Sequence, residues 1–377
     1  MTTTRSGANV ENKAKPNNSD STGAKHELDK KTSPLSKRIK TDDGKTQQTI
    51  EDTIPSPTEA YGNGKNGVWT NGNEDEKGED AQKTTEQKES AEEKGAREGV
   101  VPPNILEKGI IYFFIRGRVG IDEPSSVDDI RRTHIVLRPL DKDAKLGKGT
   151  IKDVGNSRLI AIPKKVFPLS GKDRWIAFVE KSHALFQTLK DEFLSASDYA
   201  TKTAGVRHTP AATPVAEGVY VITSTGRENH LAYKITLPKD LGEVQKEIGL
   251  KDDGSFIIST RNPQYDPPKG TALPQAPEYP QEVLDEFRAL RWTATQPKHL
   301  DFVNAQFLLV GESSGITKAT EPQKDQDEGQ EKPAEELEKL EDEDSLRMES
   351  LQGDDSVAIF ADLHARAEDF PKLQTTF

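Results

Sequence analysis

The sequence predicts an α+β fold: a single strand-rich mixed domain with about three helices, flanked by long disordered N- and C-terminal tails. Three observations carry this expectation. Aromatic residues gather in the middle of the chain. Up to Pro103 only Tyr61 and Trp69 occur, and after Glu312 only Phe360, Phe370 and Phe377. Between those limits, short apolar runs with strong β propensity recur without regular alternation with helices. The flanks are polar and charged, and such segments bury too little apolar surface to offset chain entropy. The expected division is 1–103, 104–312 and 313–377.

Composition narrows the function classes. Of 377 residues, 32% are hydrophobic and 31% are charged. The formal net charge is −12. It is unevenly spread: net −3 over 1–103, +2 over 104–312 and −11 over 313–377. A near-neutral middle gives no general attraction to nucleic acid, so direct nucleic acid binding is not expected. There is no cysteine, which excludes disulfides, thiolate zinc sites and thiol nucleophiles. No apolar run reaches membrane-spanning length, and the N-terminus lacks a signal-peptide core. A soluble intracellular protein is expected, with no membrane partner and no cofactor.

The elements follow in order. Ile110–Ile115 is a continuous apolar run and reads as a strand buried on both faces. Asp128 and Asp129 suit the start of a short helical turn. Thr133–Arg138, Arg158–Ile162 and Arg174–Glu180 read as strands, marked off by Gly and Pro. Ser182–Leu194 has apolar residues at helical spacing behind a Ser that suits an N-cap. Thr201–Glu217 reads as a long polar loop bearing prolines. Gly218–Ser224 and His230–Leu237 follow as a hairpin. Leu241–Ile248 is a short helix stopped by Gly249. Ser255–Thr260 is a strand, and Gln281–Leu290 is an amphipathic helix entered at Pro280. Phe307–Val310 is the closing strand. In the acidic tail, Pro333–Leu351 and the stretch after Gly353 read as marginal helices. The second carries Val357, Ile359, Phe360 and Leu363, which either dock a partner or pack back on the core.

Several motifs bear on function. Lys37, Arg38 and Lys40 form a basic cluster on a polar segment, as import receptors recognise, with Ser33-Pro34 beside it as a phosphate-sensitive modulator. Gln47–Ile54 faintly resembles a sliding-clamp peptide but lacks its aromatic pair. The glycines of 62–67 match a dinucleotide fingerprint without its flanking strand and helix. Gly311–Gly315 matches a nucleophile elbow centred on Ser313, yet no helix follows, and only His364 comes later as a base. No catalytic residue is therefore assigned. His208 and His230 lack a third ligand, so no metal site is expected.

The strongest candidate site is the group Lys202, Arg207, His208, Arg227 and His230 around the Thr201–His230 unit. Such side chains bind phosphate or carboxylate groups. Glu217 and Glu228 lie nearby, and internal ion pairs with them account for the same residues. A loop of this length needs polar anchors, which favours pairing.

Five stretches carry a family resemblance: KGIIYFFIRGR (108–118), YATKTAGVRHTPAATPVAEGVY (199–220), HLAY (230–233), GEVQKEI (242–248) and NAQFLLVGE (304–312). They resemble a family of uncharacterised fungal proteins catalogued as "BTB domain transcription factor". They are also similar to shorter bacterial proteins of unknown function that lack the terminal segments. The resemblance implies a nuclear, protein-interacting regulator. The leading expectation is a non-enzymatic nuclear interaction protein with a protein partner and an import receptor. The alternative is a small-ligand or anion-binding domain, an enzyme of unspecified reaction included, that uses 201–230.

Overall fold

The computed structural model describes residues 90–97, 101–203, 205–322, 331–351 and 355–377. Expectations placed on 1–89, including Lys37, Arg38 and Lys40, the 47–54 island and the 62–67 glycines, lie outside the described residues.

Eight antiparallel strands close into a barrel. They are β1 (Ile105–Gly117), β2 (Ile130–Leu140), β3 (Ser157–Ile162), β4 (Arg174–Ala184), β5 (Ala212–Ser224), β6 (Asn229–Leu237), β7 (Asp253–Arg261) and β8 (Gln306–Gly311). Their order around the wall is β6-β5-β1-β2-β3-β4-β8-β7. Pairing of β6 with β7, from Asn229↔Ile258 to Lys234↔Asp253, completes the circuit. The expected strand-rich mixed domain is thus built on a closed barrel, a form that leaves no long edge unpaired.

Burial on both faces explains the continuous apolar run of β1. Ile111, Phe113 and Ile115 enter the barrel interior. Ile110, Tyr112 and Phe114 face outward and are equally buried, because other elements cover that wall. Inside, Phe113 meets Phe167 and Tyr233 edge-on at 5.3 and 5.2 Å, and Tyr233 stacks on Phe256 at 5.5 Å. Two glycines make room for the tyrosine rings. Gly109 pairs with Tyr220 and Gly254 with Tyr233, and a Cβ at either glycine would collide with the facing ring.

Both ends are capped. Between β6 and β7, α2 (Glu243–Glu247) and the turn after it add Val244, Ile248 and Leu250 to the interior cluster. At the other end of β7, the insertion carrying α3 (Gln281–Glu286) adds Tyr279, Val283 and Phe287. Helix α3 stops short of Leu290 because Arg288 and Ala289 adopt positive φ, 45° and 61°.

The outer wall is covered by three segments. The first is α1 (Phe186–Leu189) with the π-helical turn Lys190–Leu194. The others are α4 (Pro333–Ser350) and α5 (Asp355–Asp362). Leu337, Leu340, Ile359 and Phe360 from the two helices are fully buried in one cluster with Ile110, Tyr112 and Phe114. The expected C-terminal tail is therefore a correction: what is described of 313–377 packs back on the barrel. Its acidity is matched by cations of the wall and by one of its own. Arg347 of α4 donates to Glu217 of β5, Asp344 and Asp362 at 2.7–2.8 Å. Lys108 of β1 meets Glu336 at 2.9 Å, and Arg138 of β2 meets Asp362 at 3.2 Å. The last residues continue the cover, with Gln374 N donating to Pro214 O and Val244 N to Thr375 O, both at 3.1 Å.

Two further expectations change. The 201–217 loop is mostly β structure: a hairpin of Ser197–Thr201 with Gly205–Thr209 leads into β5, which starts at Ala212. Pro214 is tolerated inside β5 because the β1–β5 register shifts there, Phe113 facing Ala216 and Phe114 facing Pro214. The expected helix 182–194 begins only at Phe186. Ser157↔Ala184 pairing holds the preceding residues in β4, and the Phe186 amide then donates to Asp153 Oδ2 at 2.7 Å.

Candidate functional site

Among the described residues, the aromatic side chains of the barrel interior are closely packed. Phe113 and Tyr220 are 0% exposed, and Phe256 is 2% exposed. Side chains lining a space large enough for water would retain accessible surface, so the interior is filled by its own residues.

The five basic candidates fall into two groups. Lys202, Arg207 and His208 belong to the hairpin before β5, whereas Arg227 lies in the turn after its far end and His230 pairs with Thr223 at that end. β5 has 13 residues, which span about 40 Å at the usual strand rise. Lys202, Arg207 and Arg227 are exposed and make no hydrogen bond or ion pair among the described residues. Neither expected anchor serves them: Glu217 is taken by Arg347, and Glu228 by Lys318 at 2.8 Å. His208 is held instead by two aspartates, Nδ1 to Asp198 at 2.6 Å and Nε2 to Asp122 at 2.9 Å. A carboxylate on each ring nitrogen favours the protonated imidazole, and its pKa is raised.

His230 is buried on the outer face of β6. Its Nδ1 bonds Glu312 Oε2 at 2.7 Å, and Ser255 Oγ donates to the same oxygen at 2.6 Å. Burial would raise the Glu312 carboxyl, but these bonds and nearby Lys318 hold it below its usual value. Ser255 is only 2% exposed, so no substrate reaches its hydroxyl. Ser313 acquires no base from His364, which bonds the Ile151 carbonyl and stacks on Phe186 instead. At one barrel mouth, Arg158 bridges Glu107 at 2.7 and 2.8 Å and Asp301 at 2.7 Å, and Tyr220 donates to Glu107 at 2.7 Å. These donors and acceptors satisfy one another. Both clusters tie elements together. Among the described residues, no group of three or more His, Cys, Asp or Glu side chains is arranged to hold a metal.

A fourth cluster escaped the sequence reading. Arg116 of β1 pairs in register with Arg132 of β2, and His134 lies two residues further along the same face. Glu180 of β4 approaches His134 Nε2 at 3.7 Å. The π turn covers the group: the Phe193 carbonyl accepts from Arg116 Nη2, and its ring meets His134 at 4.9 Å. Burial lowers the His134 pKa to about 4, so the ring is neutral at neutral pH. Against the cost of burial, the His134 contact and the charges of Arg132 and Arg116 lower the Glu180 carboxyl. Burial also lowers Arg132, with Glu180 opposing. Arg132 makes no hydrogen bond or ion pair among the described residues, and the buried His134 Nδ1 has no partner. The available signal was the two-residue period of β2, which sets Arg132 and His134 on one face.

No family model, curated protein or solved structure matches the chain.

Proposed function

We propose that the protein is a non-enzymatic interaction protein of the nucleus, with the barrel as a rigid platform for a protein partner. The observation that carries this reading is the filled interior. A barrel that stores its own aromatic rings, capped at both ends, has stability to offer and no room for a small-molecule substrate. The buried polar clusters under α4 and α5 and at the barrel mouth are closed ion pairs that fix elements in place. The alternative of an anion site across 201–230 has less support, since its residues occupy two ends of β5. The nuclear part of the reading rests on Lys37, Arg38 and Lys40 and on the family resemblance.

Cross-linking affinity capture of the tagged full-length chain tests it. One or a few stoichiometric protein partners are expected from nuclear extract. Nuclear accumulation is expected to be lost when Lys37, Arg38 and Lys40 are replaced by alanine. Recovery of no stoichiometric partner, or unchanged accumulation of the triple variant, overturns the reading.

A further inference from the structure

Resting on the interaction reading above, we propose that the seat of the strap 371–377 is a groove for an extended peptide segment of the protein partner, held in cis by the strap itself. Three features of the seat carry this. First, it reads main chain. The β1–β5 register passes from Phe113↔Ala216 to Phe114↔Pro214, so Val215 has no register partner in β1, and its carbonyl accepts from Gln245 Nε2 instead. Gln245 is 0% exposed, and its Oε1 accepts from the Gly242 amide, so the side chain is fixed from two sides. The same Nε2 donates to Gln374 O at 2.9 Å. Pro214 O accepts from the Gln374 amide and the Val244 amide donates to Thr375 O, both at 3.1 Å. Gly242 leaves room for that carbonyl, since a Cβ there would stand 2.2 Å from Thr375 O. These contacts use only the backbone of the strap, as in other grooves that bind extended peptides.

Second, side chains set the sequence that fits. Leu373 packs on the outer-wall cluster and Phe377 on the interior cluster. Between them Gln374 Nε2 donates to Pro124 O at 2.8 Å. Lys372 and Thr376 are exposed. The partner segment is therefore an extended Leu-Gln pair with an aromatic residue three positions after the Gln.

Third, the strap is the loose member of the pair. No residue of 366–377 is buried, whereas Val215, Val244 and Gln245 beneath the strap are 0% exposed. The strap forms no helix or strand, so few bonds oppose the chain entropy lost in ordering it. Segments of this kind open locally ahead of the rest of the fold. The tether stays in place, because Phe370 stacks on Phe360 at 5.1 Å. The three residues from Phe370 to Leu373 span about 10 Å at most, which does not carry the strap across to a second copy. The opened groove is thus left to a partner's segment.

Fluorescence anisotropy with the labelled synthetic peptide PKLQTTF tests the groove on the full-length chain. The tethered strap competes at an effective concentration of about 1 mM, so weak binding to the parent chain is expected. Leu373→Asp with Phe377→Asp loosens the strap and is expected to tighten peptide binding by about tenfold or more. Adding Gly242→Ala to that variant is expected to reverse the gain, because its Cβ takes the place of the peptide carbonyl. Amide NMR of the parent chain gives a second readout that needs no substitution. High peptide concentration is expected to move the resonances of 374–377 to those of a solvated chain. Absence of peptide binding to both chains, or binding that Gly242→Ala leaves unchanged, overturns the proposal. Dimerisation of the parent chain that the double substitution abolishes assigns the groove to a second copy and also overturns it. A stoichiometric partner captured equally well by the parent and Gly242→Ala chains removes the groove while leaving the interaction reading in place.

Discussion

Arg347 on α4 donates through Nη2 to Glu217 Oε1 on β5 at 2.7 Å, and neither side chain is exposed. The pair joins residues 130 positions apart and sits between the barrel wall and its helical cover. Removing the cation leaves Glu217, Asp344 and Asp362 buried with Arg138 as the remaining nearby guanidinium. Arg347→Met is expected to destabilise the fold by about 3–5 kcal/mol, as for other buried pairs broken from one side. Urea unfolding of the variant against the parent chain measures it. A shift under about 1 kcal/mol would show that α4 is not anchored here.

The same cluster predicts a pH dependence. Three carboxyl groups, Glu217, Asp344 and Asp362, face two guanidinium groups, Arg138 and Arg347. One carboxyl therefore keeps its proton. Burial is the largest cause in pushing Glu217 up to about 8 and Asp362 up to about 7. A carboxyl raised in the folded state stabilises the fold fully below its unfolded pKa. That contribution is lost as pH rises through the folded value. The urea midpoint is expected to fall as pH climbs through about 7 to 8, and Glu217→Gln is expected to flatten the slope. A midpoint rising over that range would contradict the protonated carboxyl.

Phe113 supplies the test of the filled interior. It is fully buried between Phe167 and Tyr233. Phe113→Ala is expected to cost about 3–5 kcal/mol and to open an apolar void. The parent chain should take up no small apolar probe, whereas the variant should bind benzene or a similar ring. Isothermal titration at low temperature, where the variant stays folded, distinguishes the two. Saturable uptake by the parent chain would mean that a chamber exists.

His208 is expected to titrate above the ordinary histidine range, because Asp198 and Asp122 each bond one ring nitrogen. The raised pKa means that the clip between the hairpin and the β1–β2 loop is complete at acid pH. It loosens as pH rises through the folded value. Histidine NMR titration reads this directly. Asp198→Asn and Asp122→Asn should each bring the midpoint down, and a midpoint unmoved in both would remove the clip.

Gly109→Ala tests the tyrosine-over-glycine packing. A Cβ there meets the Arg138 carbonyl and the Tyr220 ring, so overpacking of about 1–3 kcal/mol or more is expected. Thermal unfolding checks it, and a neutral outcome would show that the ring is free to move.

The strands were legible because each is a compact apolar run. The Ile110–Ile115 run even announced burial on both faces, which the helices and the interior together provide. Closure was not legible, since the β6–β7 and β4–β8 pairings depend on strands whose order is set in space. Pro214 misled because proline argues against a strand, and only the bulge opposite Phe113–Phe114 admits it. The acidic C-terminal region misled for a related reason. Its composition reads as solvated, while Glu336 and Asp362 are buried against Lys108 and Arg138, cations far away in the chain. The arginine cluster on β1 and β2 matches no motif, because it is assembled by strand pairing on a regular face.

The late position of α4 and α5 has a consequence for synthesis. The barrel cannot close until β8, ending at Gly311, has left the ribosome. Even then the wall around Tyr112 and Phe114 stays bare until the two helices emerge. Lys108 and Arg138 wait through the same interval without their carboxylates. The nascent chain therefore passes through a stage with a sticky, positively charged flank, the period in which a holdase chaperone has most to protect.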